Sequence, residues 1–384
     1  MADRAYFDWN ATAPLLEQAR AAMNAAFGLT GNASSVHAEG RAVRQVVEEA
    51  RARVAALAGA GPKNVTFTSG ATEANMFALT PALEIGARKE PRDRLFVSAI
   101  EHPSVRSGGR FAAAQVEALP VDGDGVVDLA ALERQIAGAS FPLVSVMLAN
   151  NETGVIQPVS EIAKIVHARG GLLHVDAVQA PGRIGCRIED LGADLMSLSA
   201  HKLGGPQGAG ALICRGDIHI AEPLIRGGGQ ERGQRAGTEN VAAIAGFGAA
   251  AAAAVEADAG RMAALRDRLE AGIRSAASEA VIFSQGAARL PNTTLFAVPG
   301  VKAETAIIAF DLNGIAVSSG SACSSGKVRA SSVLEAMGVE PELSRGAVRV
   351  SLGRSTTDDE VERFLQTWNM LAESLVKRRR GIAA

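Results

Sequence analysis

Between residues 40 and 250 two kinds of hydrophobic pattern alternate. The stretch "GRAVRQVVEEARARVAALAG" places Val43, Val46, Val47, Ala50, Val54 and Leu57 at steps of three and four, so one face of a helix is apolar. Gly59 stops it, with Pro62 just beyond. The other kind is short and apolar: "VTFTS", "LFVSA", "VEALPV", "LVSVMLA", "LLHVDAV", "LMSLS" and "GALICR". Several are apolar throughout, which marks strands covered on both faces. Strands and helices in alternation predict a mostly parallel sheet with helical crossovers, here of seven strands. Such sheets bind ligands at the carboxyl ends of their strands.

After residue 258 the pattern changes. A helix over "RMAALRDRLEAGIRSAA" leads into "TTLFAV", "AETAIIAFDLNGIAV" and "AVRVSLG". A last helix opens with the capping box Thr357 and Glu360. It carries an apolar stripe of Val361, Phe364, Leu365, Trp368, Leu371 and Leu375. We expect an α/β protein in two parts. Residues 13–258 form a large domain, and residues 1–12 with 259–384 form a smaller α+β domain. The polar, glycine-rich stretches "IRGGGQERGQRAGTEN" and "SSGSACSSGKVRASS" resist both periods and predict loops; the second spans about residues 318–332.

Composition narrows the function. The 384 residues are 47% hydrophobic and 21% charged, with a net charge of −2, so nothing global draws the chain to nucleic acid or to a membrane. The most apolar run, "VAAIAGFGAAAAAAV", is shorter than the roughly 20 residues a span needs, and reads as a packed helix. The charged start lacks the apolar core of an export signal, which makes the cytosol the expected compartment. The basic "VKRRRG" complements a helix C-terminus. Cys186, Cys214 and Cys323 form no metal-ligand spacing and are expected to stay reduced. Cys186 and Cys214 adjoin apolar segments and read as packed, whereas Cys323 alone lies in a Ser/Gly loop.

Three features suggest chemistry. "SLSAHKLGG" sets Lys202 at the mouth of an apolar strand. "LLHVDAV" ends another strand on a carboxylate, Asp176, which needs a cationic partner if buried. "TSGATEAN" follows a strand and opens a helix, as an anion site does. Alone, each has an ordinary structural explanation. In this order they supply what pyridoxal phosphate demands: an amine for the Schiff base, a carboxylate for the ring nitrogen and a helix end for the phosphate. A nucleotide-binding domain fits poorly, because no GxGxxG or GxxxxGK[ST] follows a strand.

"SLSAHK" resembles the cofactor-lysine motif of the class V aminotransferase superfamily. Together with it, "ATEANM", "EHPSV", "NNETG", "HVDAVQA", "GGGQERGQRAGTEN", "SSGSACSSG" and "VRVSLGR" resemble cysteine desulfurases, in the subgroup serving iron–sulfur or nitrogenase cluster assembly. The likeness runs from about Tyr6 to Gly353. It implies the fold of type I pyridoxal-phosphate enzymes and a homodimer. Lys202 would carry the cofactor. Thr72, Ser199, His201 and the backbone at Ala71 would hold its phosphate, Asp176 its ring nitrogen and Gln179 its ring hydroxyl. His102 would stack on the ring and move protons. Asn151 would touch cofactor and substrate, Arg349 would grip the substrate carboxylate, and Thr238 would reach the neighbouring subunit's phosphate. Cys323 would be the nucleophile that takes sulfur from L-cysteine as a persulfide, leaving L-alanine. Its acceptor would be an iron–sulfur scaffold or another sulfur-acceptor protein, and the only metal it would meet is a partner's cluster.

Two positions depart from the family pattern. Gln207 in "GGPQGAG" stands where a basic residue is common, and "KVRASSVL" is unusually basic. Neither is expected to touch the chemistry. Other enzymes of the same fold remain alternatives: an aminotransferase, or a lyase releasing sulfide or selenide without a cysteine nucleophile. So does a silent sulfur-relay protein that has kept the fold. Carbon product and cofactor colour separate them.

Overall fold

The computed structural model describes residues 4–254, 259–320 and 330–382. The amphipathic stretch forms helix α1, Ala38–Ala58, which buries Val43, Val47, Ala50 and Val54. It ends where expected, at Gly59, whose φ of 66° is a left-handed conformation that glycine adopts without penalty. The alanine-rich run forms Val241–Ala253, with Ala242 to Ala251 all buried. A helix apolar on every side must be covered on every side. Small residues allow this at close range: a Cβ on Gly248 would lie 2.6 Å from that of Ala50.

The seven apolar runs are the seven strands of the main sheet: β1 Val65–Thr68, β2 Arg94–Ser98, β3 Val116–Leu119, β4 Pro142–Met147, β5 Leu172–Asp176, β6 Leu195–Ser199 and β7 Gly210–Cys214. Their order across the sheet is β1-β7-β6-β5-β4-β2-β3. All neighbouring pairs are parallel except those made by β7, which runs against both β1 and β6. Strands β4, β5 and β6 are buried at every residue, which explains their unbroken apolar runs. Register sets the site. Met147 pairs with Asp176, and Asp176 with Ser197. Gly210 pairs with both Ser199 and Thr68. One edge of the sheet therefore gathers the ends of β1, β4, β5 and β6.

A second, antiparallel sheet holds β8 Val281–Ile282, β9 Thr293–Ala297, β10 Ser318–Ser319 and β11 Val348–Ser351, in the order β8-β9-β11-β10. The last helix, Asp358–Ile382, packs on it. Phe364 stacks on Phe310 at 4.6 Å between ring centroids, and Trp368 meets Phe296 edge-on at 5.2 Å. The capping box forms as expected, with the Thr357 N–H on Glu360 Oε2 at 2.8 Å and the Glu360 N–H on Thr357 Oγ1 at 3.2 Å. The run "AETAIIAFDLNGIAV" divides at Gly314 into the helix Ala303–Leu312 and the strand Ile315–Ala316. Ala5–Tyr6 pairs in parallel with Ile315–Ala316, and Asp8 bridges to Ser351, so the chain start lies against this sheet. Among the described residues no helix is long and apolar enough to cross a membrane.

Candidate active site

Lys202 closes a single helical turn, Ala200–Lys202, directly after β6. Its Nζ donates to the carbonyls of Asn10 at 2.6 Å and Ala11 at 2.8 Å, so the segment before the large sheet crosses the strand mouth. Asp176, the last residue of β5, is 7% exposed. It accepts from Asn75 Nδ2 at 2.9 Å and from the Val178 N–H at 3.1 Å. A buried carboxylate needs such donors, and a cation besides.

Helix α2, Ala71–Ala78, begins right after β1. No side chain caps its N-terminus, so its first N–H groups face outward with the positive end of the dipole. A Cβ on Gly210 would lie 2.6 Å from the Gly70 carbonyl carbon, so only glycine lets β7 pass this close. Burial works against the Glu73 carboxylate. Arg235 at 2.9 Å and Ser69 nonetheless hold it below the usual carboxylate range and tie the glycine-rich loop to the helix start. Glu231 anchors the same loop through a buried bidentate pair with Arg51, at 2.6 and 2.9 Å.

These elements enclose a cavity of about 450 Å³. Ala71, Thr72, His102, Asn151, Asp176, Gln179, Ser199, His201, Lys202 and Arg349 all line it, so ten of the residues named from sequence converge. Thr238 does not line it and is exposed in its loop. Cys323 lies outside the described residues. Gln207, expected to stand clear of the chemistry, lines the cavity instead. The turn after β6 carries it there, back toward Gly70 and α2.

Several lining residues also do structural work. His102 caps the turn Pro103–Arg106. Gln179 Nε2 donates to the Asn10 carbonyl at 3.1 Å, and its Oε1 accepts from Arg183. Arg349, 1% exposed, donates to Asp8 Oδ1 at 2.7 Å and to the Asn151 carbonyl at 2.9 Å. Its Nε has no partner among the described residues. A guanidinium has five N–H groups, so this fork keeps donors for an anion.

The electrostatics favour neutral imidazoles. Desolvation lowers the pKa of His102; Asp176 opposes this and Lys202 adds to it. Desolvation takes His201 down to about 4, again with Lys202 alongside. Glu101 is buried behind the site, with its carboxyl raised well above the usual range by desolvation and then by Asp176. Burial pushes the Cys186 thiol up to about 11 and the Cys214 thiol up to about 12, as packed thiols should be.

Sequence reasoning passed over Asn10, Ala11, Asn75, Ser104 and Glu152. Asn75 lay inside the quoted "ATEANM", but nothing local shows that it reaches Asp176. Glu152 is buried and accepts from Ser331 Oγ at 2.5 Å. Desolvation raises its carboxyl to about 7 against the pull of Ser331 and Arg349. An acid raised in the folded state adds stability that is complete below about 4.5 and is lost as pH rises through about 7. We therefore expect Glu152→Gln to flatten the dependence of Tm on pH across that window. Calorimetry of both proteins from pH 4.5 to 8 checks it, and parallel curves would contradict it.

A strand-mouth amine, a buried carboxylate on the adjacent parallel strand and an uncapped helix end, all facing one cavity, suit pyridoxal phosphate. The Asn75 Oδ1 atom, buried and without a partner among the described residues, shows that the lining has unused polar capacity. These are the features of a type I pyridoxal-phosphate enzyme. The family model for class-V aminotransferases matches residues 5–364. A cysteine desulfurase of Cereibacter sphaeroides is 41% identical, covering 97% of each chain. The cysteine desulfurase IscS 1 of Archaeoglobus fulgidus is 40% identical over 96% of this chain and 97% of its own. The structure of a NifS-like protein from Rickettsia africae superposes with a TM-score of 0.87 at 35% identity, covering 97% of this chain and all of the other. SspA in complex with cysteine gives 0.76 at 27% identity, over 92% of this chain and 100% of its own. The chain belongs to the class-V aminotransferases and, within them, to the cysteine desulfurases.

Proposed function

We infer that the protein is a pyridoxal-phosphate-dependent cysteine desulfurase that converts L-cysteine to L-alanine and passes the sulfur on as a Cys323 persulfide. One observation carries the assignment of the pocket: Lys202, Asp176 and the uncapped start of α2 share one cavity with Arg349. When bound, pyridoxal phosphate supplies the sink for the electron pair left by a broken Cα–H bond. Asp176 would hold its ring nitrogen protonated, Gln179 its hydroxyl, and Ala71, Thr72, Ser199 and His201 its phosphate. Lys202 would anchor it, and its amine would take the Cα proton of the substrate. Arg349 and Asn151 orient the substrate carboxylate. The atoms balance simply. The Cβ–S bond of L-cysteine breaks, an S–S bond to the Cys323 thiolate forms, and the substrate thiol proton ends on Cβ.

In this scheme residues 13–258 hold the cofactor, and residues 1–12 with 259–384 carry the nucleophile. Thr238, exposed in its own chain, reaches the phosphate of a second copy, which makes the working unit a homodimer. The proposed setting is the cytosol, where Cys323 stays reduced between turnovers. The acceptor is an iron–sulfur scaffold or another thiolated protein.

The test is the carbon product from purified protein, L-cysteine and a thiol reductant. We expect alanine, one for each sulfide. Pyruvate with ammonia would mean β-elimination and would remove Cys323 from the mechanism.

A further inference from the structure

A hydrogen-bonded chain runs from Asp176 to His102, and its polarity follows from its first member. The Asp176 carboxylate can only accept, so the Asn75 atom at 2.9 Å from Oδ2 must be the amide nitrogen. The same NH2 group donates to Ser104 Oγ at 2.9 Å. With that contact accepted, the Ser104 hydroxyl has its own proton to give, and His102 Nδ1 lies 2.8 Å away. The Ser104 backbone N–H points at the same nitrogen, at 3.2 Å, and a backbone N–H cannot accept. Two donors on Nδ1 leave no room for a proton there.

We propose that Asn75 and Ser104 are positioning residues that lock His102 in the neutral Nε2–H tautomer, so that it meets a ligand in the cavity as a proton donor and not as an acceptor. His102 lines that cavity, and Nε2 is its remaining ring nitrogen. Asn75 is fully buried and Asp176 nearly so, which shields the bond between them from water, while Ser104 and His102 are half-buried at the cavity wall. The charged groups facing the ring are Asp176 and Lys202, of opposite effect. Desolvation acts in the same direction as the two donors, disfavouring the imidazolium. A lone histidine in the cavity would be free to take either role. Here the initial Cα proton falls to Lys202, and His102 is set to deliver a proton or a hydrogen bond afterwards. That consequence rests on the proposed desulfurase function, whereas the tautomer rests on the hydrogen bonds alone.

The experiment uses holoenzyme labelled with 15N-histidine, with the His102 signals assigned by their absence in His102→Gln. We expect a protonated Nε2 and an unprotonated Nδ1, persisting below the ordinary titration range of imidazole. Ser104→Ala keeps the backbone donor but cuts the link to Asn75. In that variant the His102 titration midpoint should rise, because a bond to the neutral form is gone. We expect kcat to fall about tenfold with KM little changed, the cost of roughly one orienting hydrogen bond. Ser104→Thr should restore both. A proton on Nδ1 in the unmodified enzyme, or an unmoved midpoint in Ser104→Ala, would overturn the proposal. The tautomer alone decides if the variant does not fold. Because it is read without turnover, a correct tautomer with the wrong carbon product would sink only the assigned function.

Discussion

Lys202→Ala is expected to abolish desulfuration while leaving a folded protein. Turnover should fall by about 10^4-fold, the upper range for a positioned general base, and the covalent anchor for the cofactor goes with it. The structural cost is small by comparison. Lys202 is half-buried, and its Nζ donates to the carbonyls of Asn10 and Ala11. Losing two such contacts costs about 2 kcal/mol, a fraction of a typical domain's stability. Two measurements separate chemistry from folding. Added pyridoxal phosphate should no longer be retained covalently after borohydride treatment, and the cofactor-free variant should melt within several degrees of the cofactor-free parent. Borohydride-stable cofactor on Lys202→Ala would place the attachment elsewhere. A collapse in melting temperature would mean that the crossing of Asn10 and Ala11 over the strand mouth is a larger element of the fold than these bonds suggest.

Cys323→Ala should reduce alanine formation to background and leave cofactor binding intact. The split follows from where the parts lie. The cavity residues that would hold cofactor and substrate come from β5, β6 and β11 and from the turns after β1, β2, β4, β5 and β6, and among the described residues none belongs to the Ser/Gly loop. Nothing in the variant should alter the visible spectrum of the bound cofactor or its change on adding L-cysteine. What is lost is the sulfur acceptor, so no persulfide forms and no label from 35S-cysteine stays on the chain. Retained alanine production would transfer the nucleophile's role to another group. The other two thiols are poor substitutes, since burial holds both far above the range in which a thiolate is populated.

How much was legible beforehand differs from element to element. The strands β4, β5 and β6 could be read from their apolar runs, because a strand covered on both faces is apolar nearly throughout. The last helix announced its start, since Thr357 and Glu360 bond to each other's backbone and side chain three positions apart. The run from Ala303 to Val317 hid a division into helix and strand, because its apolar residues satisfy both periods and only Gly314, at φ 72°, settles the break. His102 before Pro103 was legible as a turn cap as well as a candidate, and Arg349 as a salt-bridging cation, but not that its partner is Asp8, 341 positions away.

What could not be read were the partners. Asn75 and Asp176 are 101 positions apart, and Lys202 and Asn10 are 192 apart. Gln207 was set aside because its place in the cavity depends on how the turn after β6 folds back on α2. The amino-acid sequence by itself determined the elements, their order and the residue types able to carry the chemistry, because periodicity, capping and turn signals act over a few neighbours. Only the tertiary structure decided that the ends of β1, β4, β5 and β6 share one edge and that a carboxylate, an amide, a hydroxyl and an imidazole line up behind it. Those facts depend on strand register and crossover. They are fixed by burying the whole sheet at once, and no short window of sequence carries that information.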